Sequence, residues 1–259
     1  MGSETIMLIS VTLSYECIKK PRCSFCFLRL DQALNKLRNN NLNTYYKNWS
    51  SKYDLSNQLR QLISKYSECT ICFEYNGYGL STIDYLTENQ EKVHYTMTTM
   101  PQAITNNIIC HFLKSKGIGA IALSFDSAKV IFNFETKTWD IENWELAANR
   151  IKEAGIKLSC NYLIEPKIGL NIPNRVLELS DQINLLSFKP KGKLTKHAKE
   201  NLVAAIMYLN TIKPVVVDNC LGVQLGYIKK CQKGKEFIHI YPNGKMVDCC
   251  FQNRCYLWK

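Results

Sequence analysis

The segment Cys17-Ile18-Lys19-Lys20-Pro21-Arg22-Cys23-Ser24-Phe25-Cys26 puts three thiols within ten residues. Thiolates at this spacing, in an irregular loop, can converge on one soft metal centre. Three protein ligands on a four-iron cluster leave one iron open, and an open iron can bind a small molecule and do chemistry. A zinc knuckle, or a set of buried thiols, is the plain alternative. A second group of cysteines lies near the carboxyl end: Cys220, Cys231, Cys249, Cys250 and Cys255. Twelve residues separate Cys231 from Gly244, and four separate Gly244 from Cys249. Phe237 to Tyr241 alternates as a strand, Pro242-Asn243-Gly244-Lys245 is a hairpin turn signal, and Met246-Val247 starts a return strand. A tight hairpin would bring Cys231 and Cys249 together, around iron–sulfur or as part of a four-cysteine zinc ribbon. Cys69, Cys72, Cys110 and Cys160 stand singly in apolar segments, where core packing accounts for them.

Composition bounds what surrounds these thiols. A chain of 259 residues with 46% hydrophobic and 21% charged residues is long enough for one large α/β domain, or one domain with a small appendage. No apolar run is long enough to cross a bilayer. Met1-Gly2-Ser3-Glu4-Thr5 has no basic region before its apolar segment, so no signal peptide is read, and a cytoplasmic protein without a membrane partner is expected. Twelve cysteines in a reducing compartment favour metal over disulfides. The net charge of +11, with lysines gathered from Lys189 to Lys199 and again at Lys229, Lys230, Lys233 and Lys235, favours a polyanionic partner. A solvated lysine-rich surface explains the same excess.

The elements that must position the cysteines repeat in pattern. Leu8 to Leu13 is an apolar, β-branched strand directly before the first cysteine loop. A helix is expected over Asp31 to Asn39, then a polar excursion from Asn39 to Lys52. Ser56 is placed as the cap of a helix bearing Leu59, Leu62, Ile63 and Tyr66. Thr70 to Tyr75 is a second strand ending in the turn Asn76-Gly77-Tyr78-Gly79, and Ser81 is placed as the next cap. Val93 to Thr99 is a strand, followed by a helix capped by Thr105 and closed by Gly117. Ala120 to Phe125, Lys157 to Ile164, Ile183 to Phe188 and Pro214 to Asp218 are further strands. Helices at Trp144 to Ala154, near Arg175 to Leu179, and at Thr195 to Leu209 alternate with them. Strands alternating with capped helices mean right-handed βαβ units and a parallel sheet, with the chemistry at the carboxyl ends of the strands.

The first cysteine loop resembles the cluster loop of the radical S-adenosylmethionine (radical SAM) superfamily. That family spaces its cysteines C-x3-C-x2-C with an aromatic before the last. Cys23-Ser24-Phe25-Cys26 matches, whereas five residues rather than three separate Cys17 from Cys23. The resemblance spans nearly the whole chain and implies a partial (β/α)6 barrel of parallel strands over 1–212. The carboxyl-terminal spacing resembles the opening of SPASM and twitch extensions, which implies a small hairpin iron–sulfur extension over 213–259. It further implies that Cys17, Cys23 and Cys26 hold a [4Fe–4S] cluster and that Cys220, Cys231, Cys249 and Cys255 hold a second, auxiliary cluster, with Cys250 the alternate. S-adenosylmethionine would then meet Phe25, the turn Asn76-Gly77-Tyr78 in place of the family's Gly-Gly-Glu, the pair Thr98-Thr99, the segment Ser124 and Asp126, and Asn161, which shares a strand face with Ser159. The turn lacks the family's glutamate, so it matches in position and turn chemistry only. Ordinary caps and turns account for each of these singly.

The activity implied is reductive cleavage of S-adenosylmethionine to a 5′-deoxyadenosyl radical that abstracts hydrogen from a substrate, with electrons from a donor such as flavodoxin or ferredoxin. Charge points to a nucleic acid substrate, a DNA base or tRNA, with Glu74, Tyr78 and Lys189 near the mouth. A peptide, as SPASM and twitch enzymes modify, and a small metabolite are the alternatives. Only seven residues precede the first strand, which weighs against an amino-terminal leader-binding domain. A zinc-stabilised, non-enzymatic nucleic-acid-binding protein is the alternative of another class.

Overall fold

The computed structural model describes residues 6–14, 17–18, 52–87, 93–125, 132–133, 135, 138–164, 170–187, 194–231, 235–242 and 244–249. In chain order the elements are β1 (Met7–Thr12), α1 (Lys52–Ile63), β2 (Cys69–Tyr75), α2 (Ile83–Leu86), β3 (Val93–Thr99), α3 (Asn107–Ser115), β4 (Ile118–Ser124), β5 (Phe132–Asn133), β6 (Thr138–Trp139), α4 (Glu142–Glu153), β7 (Lys157–Ile164), α5 (Asn174–Leu179), β8 (Gln182–Ser187), α6 (Lys196–Ile212), β9 (Val215–Val217), α7 (Asn219–Leu225), β10 (Phe237–Ile240) and β11 (Met246–Val247). Nine strands form one sheet in the order β11-β10-β1-β2-β3-β4-β7-β8-β9. Every neighbouring pair in it is parallel except β10 and β11. The expected α/β architecture of alternating strands and helices is therefore present, and β10 adds to β1 so that the carboxyl-terminal hairpin continues the same sheet.

The strands show why the sheet has two different faces. In β2 every second residue is buried: Cys69, Ile71, Phe73 and Tyr75. The same alternation puts Met7, Ile9 and Val11 of β1 and Ile121 and Leu123 of β4 under the helices. The intervening residues, such as Cys72, Thr98, Ala122 and Ser159, face the other way and line a common cavity. Leu8 of β1 and Asn184 of β8 line that same cavity. Five strand spacings separate β1 from β8, about 24 Å in a flat sheet. Sharing one cavity requires the sheet to curl into a cup.

Helix starts differ from the sequence expectation in three places. Ser56 lies buried inside α1 rather than at its cap, because the helix begins a turn earlier, at Lys52, and buries Leu55. Asn106, not Thr105, caps α3, its side chain accepting from Ile109 N at 3.1 Å. Ser81 sits within a short 3-10 turn, Leu80–Thr82, and makes no cap, because left-handed Gly79 tightens the chain there. The antiparallel pair β5–β6 between β4 and α4 was not read from the sequence. The helix expected over Asp31 to Asn39 and the excursion after it lie outside the described residues. No helix among the described residues is long and apolar enough to cross a membrane.

Candidate functional site

The inside of the cup is hollow. Its cavity measures about 580 Å³. Small side chains leave that space: Ala120 and Ala122 on β4, Thr96 and Thr98 on β3, Ser159 on β7. Along one side the wall carries a run of amides, with Lys157 of β7 and Asp181, just before β8, beside them. Gln182 Nε2 donates to Asn184 Oδ1 at 2.6 Å, and Asn184 Nδ2 donates to Asn161 Oδ1 at 2.8 Å. This run of amides fixes the orientation of Asn161. Ser124 sits opposite Asn161 in register, on the face of β4 that carries Ala120 and Ala122. Cys72 Sγ lies 3.4 Å from Thr98 Oγ1, and burial pushes its thiol above the ordinary range, so it stays protonated as a weak donor.

At the carboxyl ends of β1 and β2 two chain segments are fastened together. Ile18 N donates to the carbonyl of Asn76 at 3.1 Å. Gly77 follows with φ 90°, and any Cβ there would collide with the Ile18 side chain. At Gly79, φ 82°, a Cβ would come within 2.7 Å of the Leu13 carbonyl. Glycine is required at both places by close approach as well as by conformation. The sequence expectation tied Gly77 to a ligand; the neighbour it admits is the start of the cysteine loop. Cys17, half-buried, packs against the core beside Ile18. Tyr78, between the two glycines, is exposed.

The remaining expected residues divide clearly. Thr98 faces the cavity, whereas Thr99 faces the helices, where it is buried and donates to the Tyr75 carbonyl at 2.9 Å. Cys23, Phe25, Cys26, Asp126, Lys189, Cys250 and Cys255 lie outside the described residues. Cys220 is buried in the first turn of α7, and Cys231 and Cys249 are half-buried on either side of the hairpin. The hairpin itself forms as expected, with Gly244 left-handed and its N–H donating to the Tyr241 carbonyl at 2.9 Å. Among the described residues no three His, Cys, Asp or Glu side chains gather to hold a metal ion, so the structure does not bring Cys220, Cys231 and Cys249 into one such group.

A set of residues that the sequence reading did not connect lies on the wall formed by β10, β1 and β2. Ser10 Oγ donates to Glu74 Oε1 at 2.7 Å, and Thr12 Oγ1 donates to Glu74 Oε2 at 2.6 Å. His239, fully buried on β10 and opposite Ser10 in register, places Nδ1 3.2 Å from Ser10 Oγ and Nε2 3.3 Å from Thr12 Oγ1. Burial holds the His239 ring below its ordinary range, and the Glu74 carboxyl group 3.7 Å away pulls against that. The signal was present in the sequence: Ser10 and Thr12 share a period-two face of β1, and Phe-Ile-His-Ile puts one polar residue on an otherwise apolar strand.

No protein-family model matches the chain, and no curated protein matches it. Solved structures do. The crystal structure of Streptococcus suis SuiB bound to precursor peptide SuiA is 16% identical, with a TM-score of 0.61, covering 96% of this chain and 61% of that one. SuiB bound to S-adenosylmethionine is 16% identical, with a TM-score of 0.59, covering 95% of this chain and 58% of that one. A further SuiB structure is 15% identical, with a TM-score of 0.60, covering 99% and 64%. The chain thus spans about three fifths of the length of the structures it matches. At this identity the likeness is one of architecture: the chain has the curled, mostly parallel α/β fold of SuiB.

Proposed function

We propose that this chain is a radical SAM enzyme that modifies a peptide. One observation supports the proposal: Cys17 lies beyond the carboxyl end of β1, and its neighbour Ile18 is bonded to the glycine turn at the carboxyl end of β2. Parallel α/β folds keep their chemistry at that end. The donor set fits the cofactors. Cys17, Cys23 and Cys26 supply three soft ligands, and the cavity offers hydroxyls and amides to a polar molecule. When bound, a reduced four-iron cluster held by these thiolates supplies the electron that splits S-adenosylmethionine and leaves a 5′-deoxyadenosyl radical.

The chain's own residues then have three tasks. The Ile18–Asn76 hydrogen bond and the two glycines hold Cys17 and Ile18, the start of the cysteine loop, against the strand ends. Thr98, Ser124 and Asn161 present polar groups from three adjacent strands to the bound molecule, and the Gln182–Asn184–Asn161 amides keep Asn161 from rotating. The apolar layer under the helices, with Phe125 stacked on Tyr162 and edge-on to Trp144, closes the outer side of the cup to water. A second cluster on Cys220, Cys231, Cys249 and Cys255 would need these thiols to draw together, since the first three are not gathered into one group. Flavodoxin or ferredoxin is the kind of donor such a cluster needs.

Charge alone favours nucleic acid. SuiB, the fold's match, is seen with a precursor peptide, and that favours peptide here. The test presents the anaerobically reconstituted, reduced chain with a peptide pool and a nucleic-acid pool. Stimulation of S-adenosylmethionine cleavage by peptides alone is expected. Stimulation by tRNA or DNA alone, with binding that falls steeply with salt, would return the nucleic-acid reading.

A further inference from the structure

Glu74 is the only acidic residue on the described strands, and Lys157, at the start of β7, is the only Lys or Arg. Glu74 points into the cup, since Phe73 and Tyr75 on either side of it are buried under the helices. Its side chain is 22% exposed. Its neighbours on that face, Cys72 on β2 and Thr98 opposite in register on β3, line the cavity. Neutral groups hold the carboxylate. Ser10 and Thr12, both buried, donate one hydroxyl to each oxygen. That fixes the plane of the carboxylate and leaves each oxygen a further acceptor site. Among the described residues, the basic side chain within ion-pair distance is His239, with Nδ1 3.7 Å away. Burial holds that ring below its ordinary range, so at neutral pH it brings little positive charge to the carboxylate. In a chain with 33 Lys and Arg against 22 Asp and Glu, the acid of the cup has no Lys or Arg beside it among the described residues.

We propose that Glu74 is a subsite for a cationic side chain of the substrate, an ammonium or guanidinium on an alkyl stem. Such a group brings the N–H donors that the open acceptor sites lack, and a charge-assisted pair is strongest where water is partly excluded. A metal ion fits the place less well. It would need several oxygen ligands, and among the described residues no set of three His, Cys, Asp or Glu side chains gathers here. The stem has a path. Cys72 lies two residues back along the same face, about 7 Å away. Burial keeps its thiol neutral, so it offers a small uncharged surface. A four-carbon stem spans that length. The cation would then sit between the cavity and the strand ends beyond which Cys17 lies. The cation site rests on the geometry of the wall; that the cation belongs to a peptide rests on the proposed function.

The experiment titrates n-butylammonium, n-butylguanidinium and n-butanol into the full chain at pH 7, without cluster or S-adenosylmethionine. Nuclear magnetic resonance reads the side-chain carboxyl carbon of Glu74, assigned through the backbone. Both cations are expected to move that signal saturably, and the alcohol to leave it in place. A signal that neither cation moves, or one that the alcohol moves equally, would overturn the proposal on the wild-type chain alone. Glu74→Gln, followed by calorimetry, should weaken cation binding about tenfold; unchanged affinity in the folded variant would count against the site just as firmly. In the reconstituted chain S-adenosylmethionine should not compete with n-butylammonium. Competition would give the carboxylate to the cofactor's own ammonium and end the assignment to substrate. Stimulating peptides remade with norleucine in place of Lys and Arg should lose their stimulation of cleavage, and equal stimulation would again refute the assignment. Because the first titration involves no cofactor, a failed cation site and a failed radical SAM assignment give separate results.

Discussion

Ile18 matters more to the cysteine loop than any feature of its own chemistry would show. Its N–H and its side chain are both spent on the β2 turn, and Gly77 is the position that lets it in. Gly77→Ala should destabilise the chain by about 1–2 kcal/mol through its left-handed backbone, and by more through the collision with Ile18. The double variant Ile18→Ala/Gly77→Ala should lose less than the sum of the two singles in urea unfolding, and strict additivity would show that they do not touch. The buried cysteines give a second prediction. Burial pushes the Cys110 thiol up to about 11, with the Arg150 guanidinium opposing that. About one molecule in a thousand carries that thiolate at pH 8 in the folded state, so iodoacetamide should label half-buried Cys17 and Cys231 well before Cys110. The folded chain keeps this proton longer than the unfolded chain does, so stability should fall as pH rises from 9 toward 11, measured by denaturant midpoint. At this scale the sequence was legible where period-two alternation decides a face, as for Ser159 with Asn161. It was silent where three strands must first be neighbours. His239 and Ser10 are 229 residues apart, and only the placement of β10 beside β1 makes them partners.

Among the elements, α7 is the most sharply defined by a single side chain. Asp218 Oδ1 accepts from Leu221 N at 2.6 Å, and its other oxygen accepts from Ser187 N and Oγ at 3.2 and 3.3 Å. One carboxylate therefore caps the helix that carries Cys220 and ties it to the end of β8. Asp218→Ala should cost about 1–2 kcal/mol in thermal or urea unfolding, and Asp218→Asn much less, since the cap acceptor remains. Equal losses for both would mean that charge, not the cap, holds the helix. Strands and long helices were legible from apolar periodicity and turn residues because burial under one helical layer enforces both. Helix starts were less so. Ser56, Ser81 and Thr105 are all good capping residues, but packing of Leu55, the tight Gly79 turn and the adjacent Asn106 decided the boundaries.

For the molecule as a whole, the alternation of strands and helices already called for a parallel sheet, and six βα units called for a cup rather than a closed barrel. That β10 would join the free edge of β1 was not legible, because no local pattern specifies which edge a late strand will choose. The consequence is that the carboxyl-terminal hairpin, flanked by Cys231 and Cys249, is part of the cup's wall and contributes His239 to it. The central claim is that three amino-terminal thiolates hold an iron cluster that splits S-adenosylmethionine above this cup. The measurement that tests it most directly is release of 5′-deoxyadenosine by the anaerobically reconstituted chain on reduction, read beside its metal content. Wild type should carry iron, roughly four atoms for each cluster formed, and release the nucleoside, and Cys26→Ala should release none. A colourless chain holding zinc, or a Cys26→Ala variant that still cleaves S-adenosylmethionine, would contradict it.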